Sequence, residues 1–99
     1  MSKELLLFSG RAYKCVKPGD QRWAGRQQGF IHGARAFVAA YSISDVRRVI
    51  TEYTGTPAST SEIENYWRKN AWGDLMDYIV PERGLWVRFQ INELPVKLY

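Results

Sequence analysis

Ninety-nine residues, 45% of them apolar and 24% charged, describe a chain that folds as one domain around a modest core. No apolar run approaches the ~20 residues of a membrane span, and Leu5-Leu6-Leu7-Phe8 is too short for the core of a signal peptide. The single cysteine, Cys15, excludes an internal disulfide and a cysteine-based zinc site, so the expected setting is the cytoplasm.

Residues 4–16 open on those four apolar side chains and predict one bent strand or two short ones, interrupted at Gly10 and continued by Tyr13, Cys15 and Val16. Lys17-Pro18-Gly19-Asp20 has the composition of a turn. Residues 21–33, QRWAGRQQGFIHG, have neither a helical nor a strand period, and glycines at 25, 29 and 33 break them up. They predict a long loop, and loops of that length in a small domain are often functional.

Residues 35–41, RAFVAAY, read as a buried strand, and Ala36, Ala39 and Ala40 predict a helix packed closely on it. Ser44 is the expected cap of that helix. Val46, Val49, Ile50 and Tyr53 follow at i, i+3, i+4 and i+7, Gly55 ends the helix, and Pro57 prevents its resumption. A second helix is expected over about 60–70. Ser59 and Glu62 have capping-box spacing, with Ser61 as a competing cap, and Ile63, Tyr66 and Trp67 are placed on the inner face.

Beyond Gly73, residues 74–79 read as helical, with Leu75, Met76 and Ile79 facing inward, and Pro81 closes them. Residues 84–91 alternate. Leu85, Val87, Phe89 and Ile91 make one face of a strand, and Trp86, Arg88 and Gln90 the other. A turn at Asn92-Glu93 and a last strand follow, and Pro95 argues for an edge position. Together these predict an α+β fold: a small, mostly antiparallel sheet of three to five strands with two or three helices packed on one face. A split βαβ arrangement is compatible with the same order of elements.

The charge is unevenly divided. Residues 1–50 hold nine lysines and arginines against three acids, a net +6, and residues 51–99 hold five against seven, a net −2. A positive half of this kind favours polyanions or acidic protein faces.

Catalytic patterns are few. One histidine and one cysteine, 17 positions apart, form no metal-ligand spacing. Asp74 and Asp77 stand at i, i+3, more in keeping with a solvated helix face than with a magnesium site. Gly25, Gly29 and Gly33 match neither a P-loop nor a dinucleotide fingerprint, although with Arg22, Arg26 and Arg35 they suit a small phosphate ligand. His32 is the one imidazole available to a small RNA-cleaving enzyme.

Basic residues interleaved with rings offer more. Arg22, Trp23, Arg26, Phe30, His32 and Arg35 bring cations and flat side chains into one stretch, as single-stranded nucleic-acid sites and protein hot spots both do. Trp23 and Phe30 are equally readable as core anchors. A second surface candidate is the stretch from Tyr66 to Trp72, in which Tyr66 and Trp67 read as core and Trp72 leaves the helical stripe, and Trp86 sits on the outer strand face. Either they extend the contact surface, or the block from 70 to 82 folds over Trp86 and the two rings cover each other.

The segments ARAFVAAYSISDVRRVI and SEIENYWRKNAWGDLMDYIVPERGLWVRF, within residues 34–89, resemble small accessory proteins of bacteriophages and prophages. Many proteins of that kind, anti-CRISPR and other anti-defence proteins among them, act by occupying a surface on a host macromolecule. The resemblance implies a non-enzymatic protein of the bacterial cytoplasm that docks on a host protein or nucleoprotein complex and blocks it, with no metal and no cofactor. The alternative is a nucleic-acid-binding protein using the loop at 21–35. A homodimer through the 84–91 strand or the last edge strand is a further expectation.

Overall fold

The computed structural model describes residues 4–23, 34–90 and 92–99. Five strands, β1 (Leu6–Arg11), β2 (Arg35–Ala40), β3 (Arg68–Asn70), β4 (Gly84–Arg88) and β5 (Val96–Lys97), form one antiparallel sheet in the order β3-β1-β2-β4-β5. Two α-helices, α1 (Ile43–Thr54) and α2 (Thr60–Tyr66), lie between β2 and β3 in the chain. The expected α+β class is the observed one.

The cap of α1 lies two residues before the predicted one. Ser42, not Ser44, is extended, and its Oγ accepts from the Asp45 N–H at 3.1 Å. Val46, Val49, Ile50 and Tyr53 form the buried stripe as expected. Gly55, at φ 78°, supplies the left-handed residue that ends the helix, its N–H donating to the Thr51 carbonyl at 2.8 Å. In α2, Ser59 wins over Ser61 as the cap, accepting from the Glu62 N–H at 3.1 Å.

Helix α2 stops at Tyr66 because residues 68–70 are drawn into the sheet as β3, alongside β1. Trp67 is buried as predicted, but Tyr66 is exposed. Strand β1 runs through Gly10 unbroken, and the chain then turns as a 3-10 helix over Ala12–Cys15 where a continued strand was expected. The side chains of Tyr13 and Asp74 and all of Ile91 lie outside the described residues. Gly73–Asp77 is also a 3-10 turn, in which Leu75 is half-buried and Met76 is exposed, against the predicted inward position.

Alternation along the strands divides the core in two. The inner sheet face presents Phe8, Ala36, Val38, Ala40, Leu85 and Val87 to the α1 stripe, Ile63 and Trp67. Ala36 and Ala40 leave room for that packing. The outer face carries Leu7, Phe37, Ala39 and Trp86, roofed by Ile79 with Trp72 and Leu75 from the chain between β3 and β4. Helices cover one face, and a 3-10 segment covers half of the other. Strand β4 is flanked by β2 and β5, which closes it to dimerisation by strand pairing, whereas β5 is the edge that Pro95 predicted.

Candidate functional site

Of the expected contacts that the structure describes, Trp23 and Trp86 are buried and Arg22 is held by the protein itself. Arg22 sits in a 3-10 turn, Gln21–Trp23, and is spent on its own chain. Its Nε and Nη2 donate to the Asp20 carboxylate at 2.9 and 2.6 Å, and Nη1 donates to the Lys97 carbonyl at 2.7 Å. The Arg22 guanidinium, aided by the Tyr53 hydroxyl, holds the Asp20 carboxyl well below the usual carboxylate range. Arg22 is thus a staple for the last strand, which corrects its expected role as an open contact.

Trp23 is corrected in the same way. It is 3% exposed and packs edge-on against Phe89, with centroids 5.0 Å apart. Its Nε1 donates to the Tyr53 hydroxyl at 2.9 Å, which donates to Asp20 Oδ2 at 2.6 Å, so the indole N–H is satisfied inside the core.

Trp86 lies on the outer sheet face, as alternation required, but it is buried there. The segment between β3 and β4 folds over it, and the Lys97 ammonium stands 5.4 Å from its ring centroid. Trp72 is half-buried in the same roof, its Nε1 donating to the Leu5 carbonyl at 3.4 Å. Arg26, Phe30 and His32 lie outside the described residues. Of the predicted contacts that the structure describes, Arg35 stands exposed on the sheet.

Strand register gives Arg35 company. It opposes Arg11 of β1 on one side and Arg88 of β4 on the other. Directly opposed residues of antiparallel strands share a face, and neighbouring strands lie ~4.8 Å apart, so three arginines form a row ~10 Å long across the outer face. Arg68 of β3 opposes Ser9 and so adds a fourth on the same face, diagonal to Arg11. The outer face is therefore split between a roofed apolar half and an arginine half.

Asp20, Asp45, Glu52, Glu62 and Glu82 are engaged by other cations. Arg83 donates to both Asp45 oxygens at 2.8–3.1 Å and reaches Glu52 at 3.2 Å, which pins α1 to the start of β4. Glu62 pairs with Lys14 at 2.6 Å, and Glu82 pairs with Lys97. Hydrogen bonds from Arg83 lower the Asp45 and Glu52 carboxyls, and both acids raise the Arg83 guanidinium further above its ordinary value. Among the described residues, Arg35, Arg68 and Arg88 form no ion pair, and the Arg88 Nε is buried without a hydrogen-bond partner.

Part of the row opens into a groove of about 380 Å³, lined by Ser9, Arg11, Arg35, Tyr66, Arg68 and Asn70, within the size range of small-ligand clefts. Arg11 stacks its guanidinium on the Tyr66 ring at 4.8 Å from the centroid. Arg68 is steadied by its Nη1, which donates to the Glu64 carbonyl at 2.9 Å, and the Asn70 amide donates to Ser9 Oγ at 2.8 Å. Guanidinium forks of this kind accept phosphate or carboxylate in bidentate fashion. The chain matches no family model, no curated protein and no solved structure.

Cys15 is buried on the helix side of the sheet, and burial pushes its thiol up to about 12. Among the described residues no three histidine, cysteine or carboxylate groups come together as metal ligands, and no helix is long and apolar enough to cross a membrane.

Sequence reasoning assigns no contact role to Arg11, places Tyr66 in the core, includes Arg68 only within the surface candidate at 66–72 and notes Arg88 only as an outer-face residue. The alternation of 84–91 did carry a usable signal, since it set Arg88 on the same face as Trp86. The pairing that aligns Arg88 with Arg35 and Arg11 is a matter of register, which no local pattern encodes.

Proposed function

We propose that this is a non-enzymatic macromolecule-binding protein that docks on a host assembly and blocks it sterically, as the phage-encoded accessory proteins it resembles do. Its docking face is the arginine half of the outer sheet face. The observation that carries this reading is the cross-strand row Arg11–Arg35–Arg88 with Arg68 beside it, set apart from the acids that neutralise Arg22, Arg83 and Lys97. Like charges directly opposed on neighbouring strands cost stability, and an anionic partner recovers that cost on binding.

The test is affinity capture from bacterial lysate, with the wild type and an Arg35→Glu/Arg68→Glu variant as parallel baits. Both replaced residues are exposed, so the variant is expected to fold, as circular dichroism would verify. The wild type should retain a specific partner that the variant loses. Equal retention by both baits would refute the assignment of this face.

A further inference from the structure

We infer that the anionic partner received by the groove is single-stranded nucleic acid, with the arginines holding successive phosphates and Tyr66 providing a platform for a base. This inference rests on the reading of the arginine row as the docking face. Three features of the groove favour it over an acidic protein surface.

The first is the repeat of charge. One guanidinium per strand, at the ~4.8 Å spacing of neighbouring strands, presents a regular series of cations to a regular series of anions. The second is the ring. Tyr66 is 42% exposed, lines the groove, and is backed by the Arg11 guanidinium, so that a base stacked there meets a π-face reinforced by a cation. The third is composition. Protein–protein interfaces keep an apolar centre and place charge at the rim. Here the apolar side chains of the outer face are sealed beneath Ile79 and Trp72, and the groove itself holds arginines, Ser9 and Asn70.

A single strand fits better than a duplex. Duplex readers insert a helix or a two-stranded ribbon into a groove of the nucleic acid. The basic residues that α1 could offer for insertion are occupied, Arg47 by the Ala58 carbonyl at 2.6 Å and Arg48 by Asp45 at 3.6 Å. Arg35 and Arg68, exposed and without an ion pair, instead line a groove, where a strand with unstacked bases can lie along them.

The experiment is fluorescence anisotropy at about 50 mM salt with a labelled oligothymidylate roughly 20 nucleotides long, a duplex of equal length, and poly-glutamate as the acidic-protein probe. The oligothymidylate should bind more tightly than the duplex. Its log K should fall by ~2–3 per log unit of salt, as expected for three or four phosphate contacts at ~0.7 each. Arg35→Glu should weaken it at least tenfold, and Tyr66→Ala by ~5- to 100-fold, the range set by loss of one stacked base. Tyr66→Phe, which keeps the ring, should restore binding to within ~3-fold.

If poly-glutamate binds in an Arg35-dependent way while the oligothymidylate does not, the nucleic-acid inference fails and the docking face survives. If the oligothymidylate binds but is indifferent to Arg35→Glu and Tyr66→Ala, both fail. Tighter binding of the duplex, or no binding of any probe, overturns the nucleic-acid inference.

Discussion

The indole of Trp67 lies over the Cα of Gly10, so close that a Cβ built on Gly10 would overlap the ring carbons Cδ2, Cε2 and Cε3. The chain keeps a glycine inside a strand here because a ring occupies the space a side chain would need, and this contact brings the end of α2 down onto β1. Gly10→Ala is expected to destabilise the fold by about 1–3 kcal/mol, the usual cost of overpacking. Urea denaturation would measure it. Pairing the change with Trp67→Leu should recover part of the loss, and an unperturbed midpoint in Gly10→Ala would show that the ring moves aside freely.

How legible this architecture is from the residues depends on whether the signal is local. The α1 stripe, its Gly55 terminus, the Ser59 cap and the alternation of β4 are written in periods of 3.6 and 2, and all are present. Strand β3 is Arg68-Lys69-Asn70, three polar residues at a sheet edge with no alternation, and nothing in them distinguishes a strand from the tail of a helix. The burial of Trp23 and Trp86 is set by distant partners, Phe89 and Tyr53 for one ring and Leu7, Phe37 and Ile79 for the other. A face that alternation marks as outer is a solvent face only where no other segment covers it.

The Asp45–Arg83 pair makes stability depend on acid. The Asp45 carboxyl is lowered, first by its hydrogen bonds from Arg83, and Asp20 and Glu52 are lowered by Arg22 and Arg83. A carboxyl whose folded value is depressed contributes stability that is present above its unfolded value, ~4, and is lost as pH falls through the folded value. The protein should therefore lose stability progressively below about pH 4. Asp45→Asn, which leaves a part-buried Arg83 with Glu52 alone, should cost about 2 kcal/mol near pH 6. That gap should narrow by pH 3, as urea midpoints at the two pH values would show. A gap of constant size would mean that Asp45 does not act through its charge.

The arginine row should be a measurable liability in the free protein. Arg35→Gln removes the central member and should raise stability at low ionic strength by about 0.3–1 kcal/mol. In about 1 M salt, where the screening length is ~3 Å, the gain should disappear. Thermal melts in the two salts provide the comparison. A variant that is less stable than the wild type in both would show that Arg35 contributes packing rather than repulsion.

Cys15 should behave as a core side chain. Fully enclosed on the helix side of the sheet, with its thiol pushed up to about 12 by burial, it presents neither the thiolate nor the access that disulfide exchange requires. An aromatic disulfide reagent such as Ellman's should leave the native protein untouched at neutral pH and react once on unfolding in denaturant. Rapid labelling of the native state would contradict this placement.

The order β3-β1-β2-β4-β5 also governs how the molecule comes into being. β1 must wait for β2, then hold its other side open across both helices until β3 is made, and β2 must wait across both helices and β3 for β4. Nearly every ladder joins distant stretches of chain, and topologies rich in such pairings fold in milliseconds to seconds rather than microseconds. Arg11 and Arg88 belong to the first and the fourth strand, so the platform that aligns them does not exist until β4 has joined β2.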